Sequence, residues 1–132
     1  MPGDSLSLEH LTDYYRVYPD LIPLRETIAA IMNEIVRMEK GPVSVADVWI
    51  VPESAYLGRY FGTTILTKDG DVVLRIAVKR ALDEVADTLL HELSHILLGK
   101  RHIRKINHGP HFTKLYEYLK QHYTDFVLAQ LR

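Results

Sequence analysis

The chain contains no cysteine. This excludes a disulfide scaffold, a thiolate-ligated zinc finger and a thiol nucleophile. Neither charge is in excess: 16 Lys and Arg stand against 17 Asp and Glu, a formal net charge of -1. No global field therefore draws the molecule to nucleic acid or to an anionic membrane. No apolar run approaches the about 20 residues that a bilayer span needs, and no basic flank leads an apolar segment near the N-terminus. The expectation is an intracellular, cytoplasmic protein with no membrane partner. Tryptophan occurs once, at Trp49, and no methionine follows Met38. Histidine is nearly missing ahead of residue 91, where only His10 occurs, while the other six of the 7 fall within 91–132. The chemistry is concentrated in the C-terminal third.

At 132 residues, 47% hydrophobic and 25% charged, the chain has the length and composition of one domain spanning 1–132 with a core of its own. Residues 1–19 mix Leu6, Leu8 and Leu11 with Tyr14, Tyr15 and Tyr18, a segment that is either flexible or docked as a short helix and loop. Pro23 suits a first helical turn, and Leu24, Ile28, Ile31, Ile35 and Met38 form an apolar stripe ending at Gly41-Pro42. Met32 and Met38 read as core filler. Three β-like runs come next, at 43–51, 59–67 and 71–78, the last two flanking Lys68-Asp69-Gly70, where Asp-Gly suits a tight hairpin turn. Trp49 reads as a core or edge aromatic. The region 99–109 reads as a basic loop. Pro110 then opens a helix with Phe112, Leu115, Tyr116 and Leu119 turned inward, and the tail at Phe126, Val127, Leu128 and Leu131 docks on the body. The predicted class is α+β: a small, mostly antiparallel three-stranded sheet packed on an N-terminal helix, a central helix and C-terminal helices.

The central helix is the informative one. From Asp83 to Leu98, Val85, Ala86, Leu89, Leu90, Leu93, Ile96 and Leu97 recur at helical spacing, and Asp87, Thr88, His91, Glu92 and His95 share the other side. Asp83 is placed to cap its start and Gly99 to end it. A spacing of four residues turns about 40° around the axis and rises about 6 Å, so His91 and His95 face one way. His91-Glu92-Leu93-Ser94-His95 is thus the zincin motif, in which the two histidines hold Zn²⁺ and the glutamate, Glu92, is the general base.

A catalytic zinc takes three protein ligands, and four downstream residues are candidates for the third: His102, His108, His111 and Glu117. His102 gives a spacing one residue longer than the metzincin pattern, with no later methionine for that family's turn. Glu117 would make a His-His-Glu site from the next helix. His108 opens His108-Gly109-Pro110-His111-Phe112, and the Gly-Pro step holds the backbone beside it in a constrained turn.

Together, Leu57-Gly58-Arg59-Tyr60 before a hairpin, a strand at 73–78, Thr88-Leu89-Leu90-His91-Glu92-Leu93-Ser94-His95 and His108-Gly109-Pro110-His111-Phe112 resemble the SprT-like, Spartan-type zinc metalloproteases over about Leu57 to Phe112. The resemblance implies a zincin-like fold, one catalytic Zn²⁺ on His91, His95 and His108, and Glu92 as base for peptide-bond hydrolysis. It also implies action on proteins bound or crosslinked to DNA. This chain has no cysteine-ligated zinc ribbon of the kind such proteins carry. Its one concentrated basic patch is Lys100, Arg101, Arg104 and Lys105, which would meet DNA or an acidic substrate, or simply keep a helix end solvated. His111, His102, Arg104 and Tyr116 are candidates for supporting the ligands or the oxyanion, and Asp87 for orienting His91. Two other readings use the same residues: a non-catalytic module held by zinc, and a metal-dependent nuclease with a His91, His95, His102 triad, again one residue too long. The protein substrate and the oligomeric state stay open at this level.

Overall fold

The computed structural model describes residues 11–53 and 61–132. Leu6, Leu8 and the Leu57-Gly58-Arg59-Tyr60 stretch lie outside the described residues. A short helix α1 (Thr12–Val17) leads into α2 (Leu21–Met38), then strands β1 (Val45–Ile50), β2 (Gly62–Leu66) and β3 (Val72–Ile76). Helix α3 (Leu82–Leu98), a single turn or so of helix α4 (Lys100–Arg104), and the long α5 (Pro110–Leu131) complete the order. The architecture is α+β, with a small mixed sheet of strand order β1-β3-β2.

The sheet is half parallel. β2 and β3 form the expected antiparallel pair, Thr64 opposite Leu74, but β1 runs parallel to β3, Val48 opposite Leu74. This corrects the mostly antiparallel sheet. The hairpin turn brings Leu66 beside Val72, with Gly70 at φ 84° donating its N–H to the Thr67 carbonyl, a conformation that glycine adopts at little cost. β3 is buried at every position, as a central strand covered on both faces must be.

β1 is an edge strand whose backbone groups are taken by side chains. Tyr15 Oη donates to the Ile50 carbonyl (2.8 Å) and accepts from the Ile50 N–H (3.0 Å). Arg25 Nε donates to the Val48 carbonyl at 2.7 Å. Asn33 Nδ2 donates to the Val45 carbonyl at 3.1 Å while its Oδ1 accepts the Val45 N–H at 2.7 Å. Helices α1 and α2 thus do for β1 what a fourth strand would do, and the edge is closed to pairing. Asp47 completes the belt, accepting from Arg25 Nη2 at 2.9 Å and from Trp49 Nε1 at 3.0 Å.

The core lies between α2, the sheet, α3 and α5. Ile28, Met32, Ile35, Ile50, Leu74, Ile76, Leu89, Leu90, Leu93, Ile96 and Leu119 are fully buried, each worth about 1.5–3 kcal/mol of transfer from water. Met32 is core filler as expected; Met38 is 41% exposed instead, because the stripe has rotated outward by the last turn of α2. Three further boundaries differ from the sequence reading. α3 starts at Leu82 after Ala81, with no side-chain cap, and Asp83 accepts only the neighbouring Glu84 N–H. The 99–109 region contains α4, which Ile103 anchors in the core. The tail continues α5 to Leu131, with Val127 buried and Tyr118 and Tyr123 hydrogen-bonded to Glu39 at the end of α2. No helix among the described residues is long and apolar enough to cross a membrane.

Candidate metal centre

Three imidazoles converge where α3 meets the start of α5. The ligand nitrogens of His91, His95 and His108 lie within 4.8 Å of one another, and His95 Nε2 is 3.2 Å from His108 Nε2. Two nitrogens bound at about 2.0 Å and a tetrahedral angle stand about 3.3 Å apart. The His95–His108 separation matches that spacing, and the three histidines are close enough to bind a metal ion. His91 and His95 come from successive turns of α3. His108 is fixed by its neighbours in the chain: the Asn107 side chain accepts the Gly109 N–H at 2.7 Å, and Pro110 opens α5 at once.

The rings are held by an aromatic side chain. Phe112, buried one turn into α5, stacks on His95 (centroids 4.4 Å, 25°) and meets His91 and His108 edge to face at 4.9 and 4.8 Å. This contact accounts for the Phe of the His-Gly-Pro-His-Phe run: it packs against all three rings. Burial, followed by the His91, His108 and His102 imidazoles, pushes the His95 ring down to about 3, and burial followed by His108 lowers His91. Both are therefore neutral at ordinary pH and present a lone pair, as metal ligation requires.

Glu92 is only 5% exposed. Its Oε1 accepts the Thr64 hydroxyl at 2.8 Å, and its Oε2 stands 4.0 Å from His91 Nε2. One oxygen is thus tied to β2 and the other faces the histidine cluster. Burial pushes the carboxyl up to about 7, and the hydrogen bonds from Thr64 recover only part of that cost; a cation at the neighbouring imidazoles would favour the carboxylate. Thr64 was not singled out from sequence. The one signal is that β2 turns Gly62 and Thr64, a small and a polar residue, to its covered face.

Gly62 sets how closely β2 approaches α3. A Cβ built there would stand 2.7 Å from Thr88 Cγ2 and 3.2 Å from Glu92 Cγ, and Thr88 is β-branched, with little freedom to turn away. Gly62→Ala is expected to cost about 1–3 kcal/mol by overpacking and to pull Thr64 off Glu92. A urea melt with an unchanged midpoint would refute the close packing.

The other candidate residues separate into distinct places. His102 lies outside the cluster, its Nε2 2.8 Å from His95 Nδ1, on the face of His95 turned away from His108. His102 is therefore not among the grouped ligands. His111 and Glu117 are exposed on α5 and are not among the grouped ligands. Tyr116 packs its ring edge-on against His91 (5.2 Å, 82°) and donates its hydroxyl to Asp87, so Asp87 reaches His91 through space, opposing the lowering by burial, rather than by a hydrogen bond. Burial first, and then Asp87, raises the Tyr116 phenol and keeps it protonated.

Two cavities flank the centre and share no lining residue. A small one, about 190 Å³, is lined by Phe61, Gly62, Asp87, Thr88, His91, Glu92 and Tyr116. Of the oxyanion candidates only Tyr116 reaches it. A larger one, about 670 Å³, lies on the far side, floored by Leu98, Pro110 and Phe112 and walled by Arg101, His102, Arg104, Lys105 and His111. Arg101, Arg104 and Lys105 pair with no carboxylate among the described residues. Lys100 is separated from them, lining a third cavity with Pro42 and Gly70.

In comparisons with known proteins, no family model, no curated protein and no solved structure matches this chain.

Proposed function

We propose that this protein is a zinc-dependent metallopeptidase of zincin type, with His91, His95 and His108 as ligands and Glu92 as general base. The observation that carries the proposal is the placement of a buried carboxylate beside three grouped imidazoles. A metal held only for structure has no use for an acid–base group that costs stability to bury. When bound, zinc supplies a Lewis acid that polarises a carbonyl and makes water acidic near neutrality. The chain's own residues supply the rest. Glu92 Oε2 takes the proton from the attacking water and passes it to the leaving amine, while Thr64 holds the other oxygen still. Tyr116, kept as a neutral phenol at the rim of the same small cavity, is the residue best placed to donate to the oxyanion once its hydroxyl leaves Asp87. The SprT-like resemblance points to the same ligands and base, and the α+β frame is compatible with a zincin-like fold.

The larger cavity, which Glu92 and Tyr116 do not line, is basic. The larger cavity's unpaired cations favour an acidic stretch of a protein substrate, or DNA carrying it, as the resemblance implies. The test is incubation of the zinc-loaded protein with an unstructured acidic protein and with a basic one, each with and without single-stranded DNA and with chelator. Chelator-sensitive cleavage, faster on the acidic protein or in the presence of DNA, is the expected result. Stoichiometric zinc with no cleavage of either protein under any condition would leave a zinc-held binding module in its place.

A further inference from the structure

His95 is held at both ends. Its Nε2 faces His108 Nε2 at 3.2 Å, and its Nδ1 faces His102 Nε2 at 2.8 Å, with the two rings edge to edge, their planes 20° apart and their centroids 5.1 Å apart. A ring nitrogen that binds metal must offer its lone pair, so the proton of neutral His95 must sit on Nδ1. Among the described residues the group within hydrogen-bond distance of that proton is His102 Nε2, which must then be the acceptor, with its own proton on Nδ1. His102 is carried on α4, whose place is set by Gly99 (φ 95°) at one end and buried Ile103 in the middle. Its hydrogen-bonding nitrogen meets His95 while the residue also walls the larger cavity.

From this geometry we infer that His102 is a positioning residue of the metal centre: by accepting from His95 Nδ1 it fixes the tautomer and the ring plane with which His95 meets the ion. The inference rests on reading the three histidines as ligands. A ligating histidine whose outer nitrogen is left without an acceptor typically loses metal affinity by a factor of about 10–100, so α4 belongs to the centre without supplying a ligand.

The experiment is a Co²⁺ titration of the full chain, wild type and variants, read by visible absorption and by competition with a chelator of known affinity. His102→Gln keeps an acceptor near the Nε2 position, whereas His102→Phe keeps a flat ring and loses the acceptor. Wild type and His102→Gln are expected to agree within about threefold, and His102→Phe to bind one equivalent about 10–100 times more weakly with an altered absorption band. Equal affinity and spectrum for His102→Phe would overturn the inference while leaving the three-histidine site intact. Equal weakening of both variants would also overturn it, assigning His102 to packing alone, and complete loss in both, matching His95→Ala, would make it a ligand instead. Failure of the wild type to bind Co²⁺ would bring down the metal reading itself. Should His102→Phe fail to fold by circular dichroism, His102→Leu takes its place in the comparison.

Discussion

Zinc-loaded Glu92→Gln is expected to retain about one equivalent of metal and to cut protein substrates about 10²–10⁴ times more slowly than the wild type. The substitution is close to isosteric, and the hydroxyl of Thr64, which now donates to Glu92 Oε1 at 2.8 Å, donates equally well to an amide oxygen. The α3–β2 contact and the three imidazoles are therefore undisturbed, and what is removed is one oxygen able to take a proton. A side chain that merely packs would tolerate the exchange with little loss, so the size of the effect separates chemistry from structure. The measurement is kcat with zinc content determined on the same samples. A kcat within a few-fold of wild type at full zinc occupancy would exclude Glu92 as the base, and loss of zinc along with activity would mean that the carboxylate supports the ligands instead.

The parts of this centre that were legible in the sequence are those set by local geometry. Helical periodicity placed Val85, Ala86, Leu89, Leu90, Leu93 and Ile96 inward, and all six are buried, which leaves His91 and His95 no choice of face. Asp-Gly at 69–70 announced the β2–β3 hairpin because a short loop closed between Thr67 and Asp71, with positive φ at Gly70, has few solutions. Features that depend on distant pairing were not legible. A buried strand reads alike whether its neighbour is parallel or antiparallel, so the direction of β1 against β3 was invisible. Thr64 reaches Glu92 across 28 residues, and no spacing rule spans that gap. The side chains that close the edge of β1, namely Tyr15, Arg25 and Asn33, lie on helix positions where a polar residue ordinarily means solvent. His102 shows the same limit: its distance along the chain made it a candidate ligand, and only the direction of the His95 ring distinguishes a ligand from the group behind one.

Removal of the third ligand should have an effect at least as large, and it tests the assembly of elements rather than the chemistry. His91 and His95 share one helix and keep their relation in any protein that folds α3. His108 comes from the turn ahead of α5, and its exposed ring is brought to them by the Gly109-Pro110 step and by the packing of Phe112. His108→Ala is expected to fall from about one equivalent of zinc to below about 0.1 after desalting, while His111→Ala and Glu117→Ala keep theirs. Melting temperature gives an independent reading. An ion that binds only the folded chain adds about 4 kcal/mol at a free concentration near a thousand times its dissociation constant, so added zinc should raise the wild-type midpoint and leave that of His108→Ala where it was. Retention of zinc by His108→Ala together with its loss from Glu117→Ala would replace the three-histidine site with a His-His-Glu one. Because Phe112 packs on all three rings from the same helix turn, the metal-free His108→Ala protein should still melt cooperatively. The ion then adds its stability to a frame that hydrophobic packing has already built.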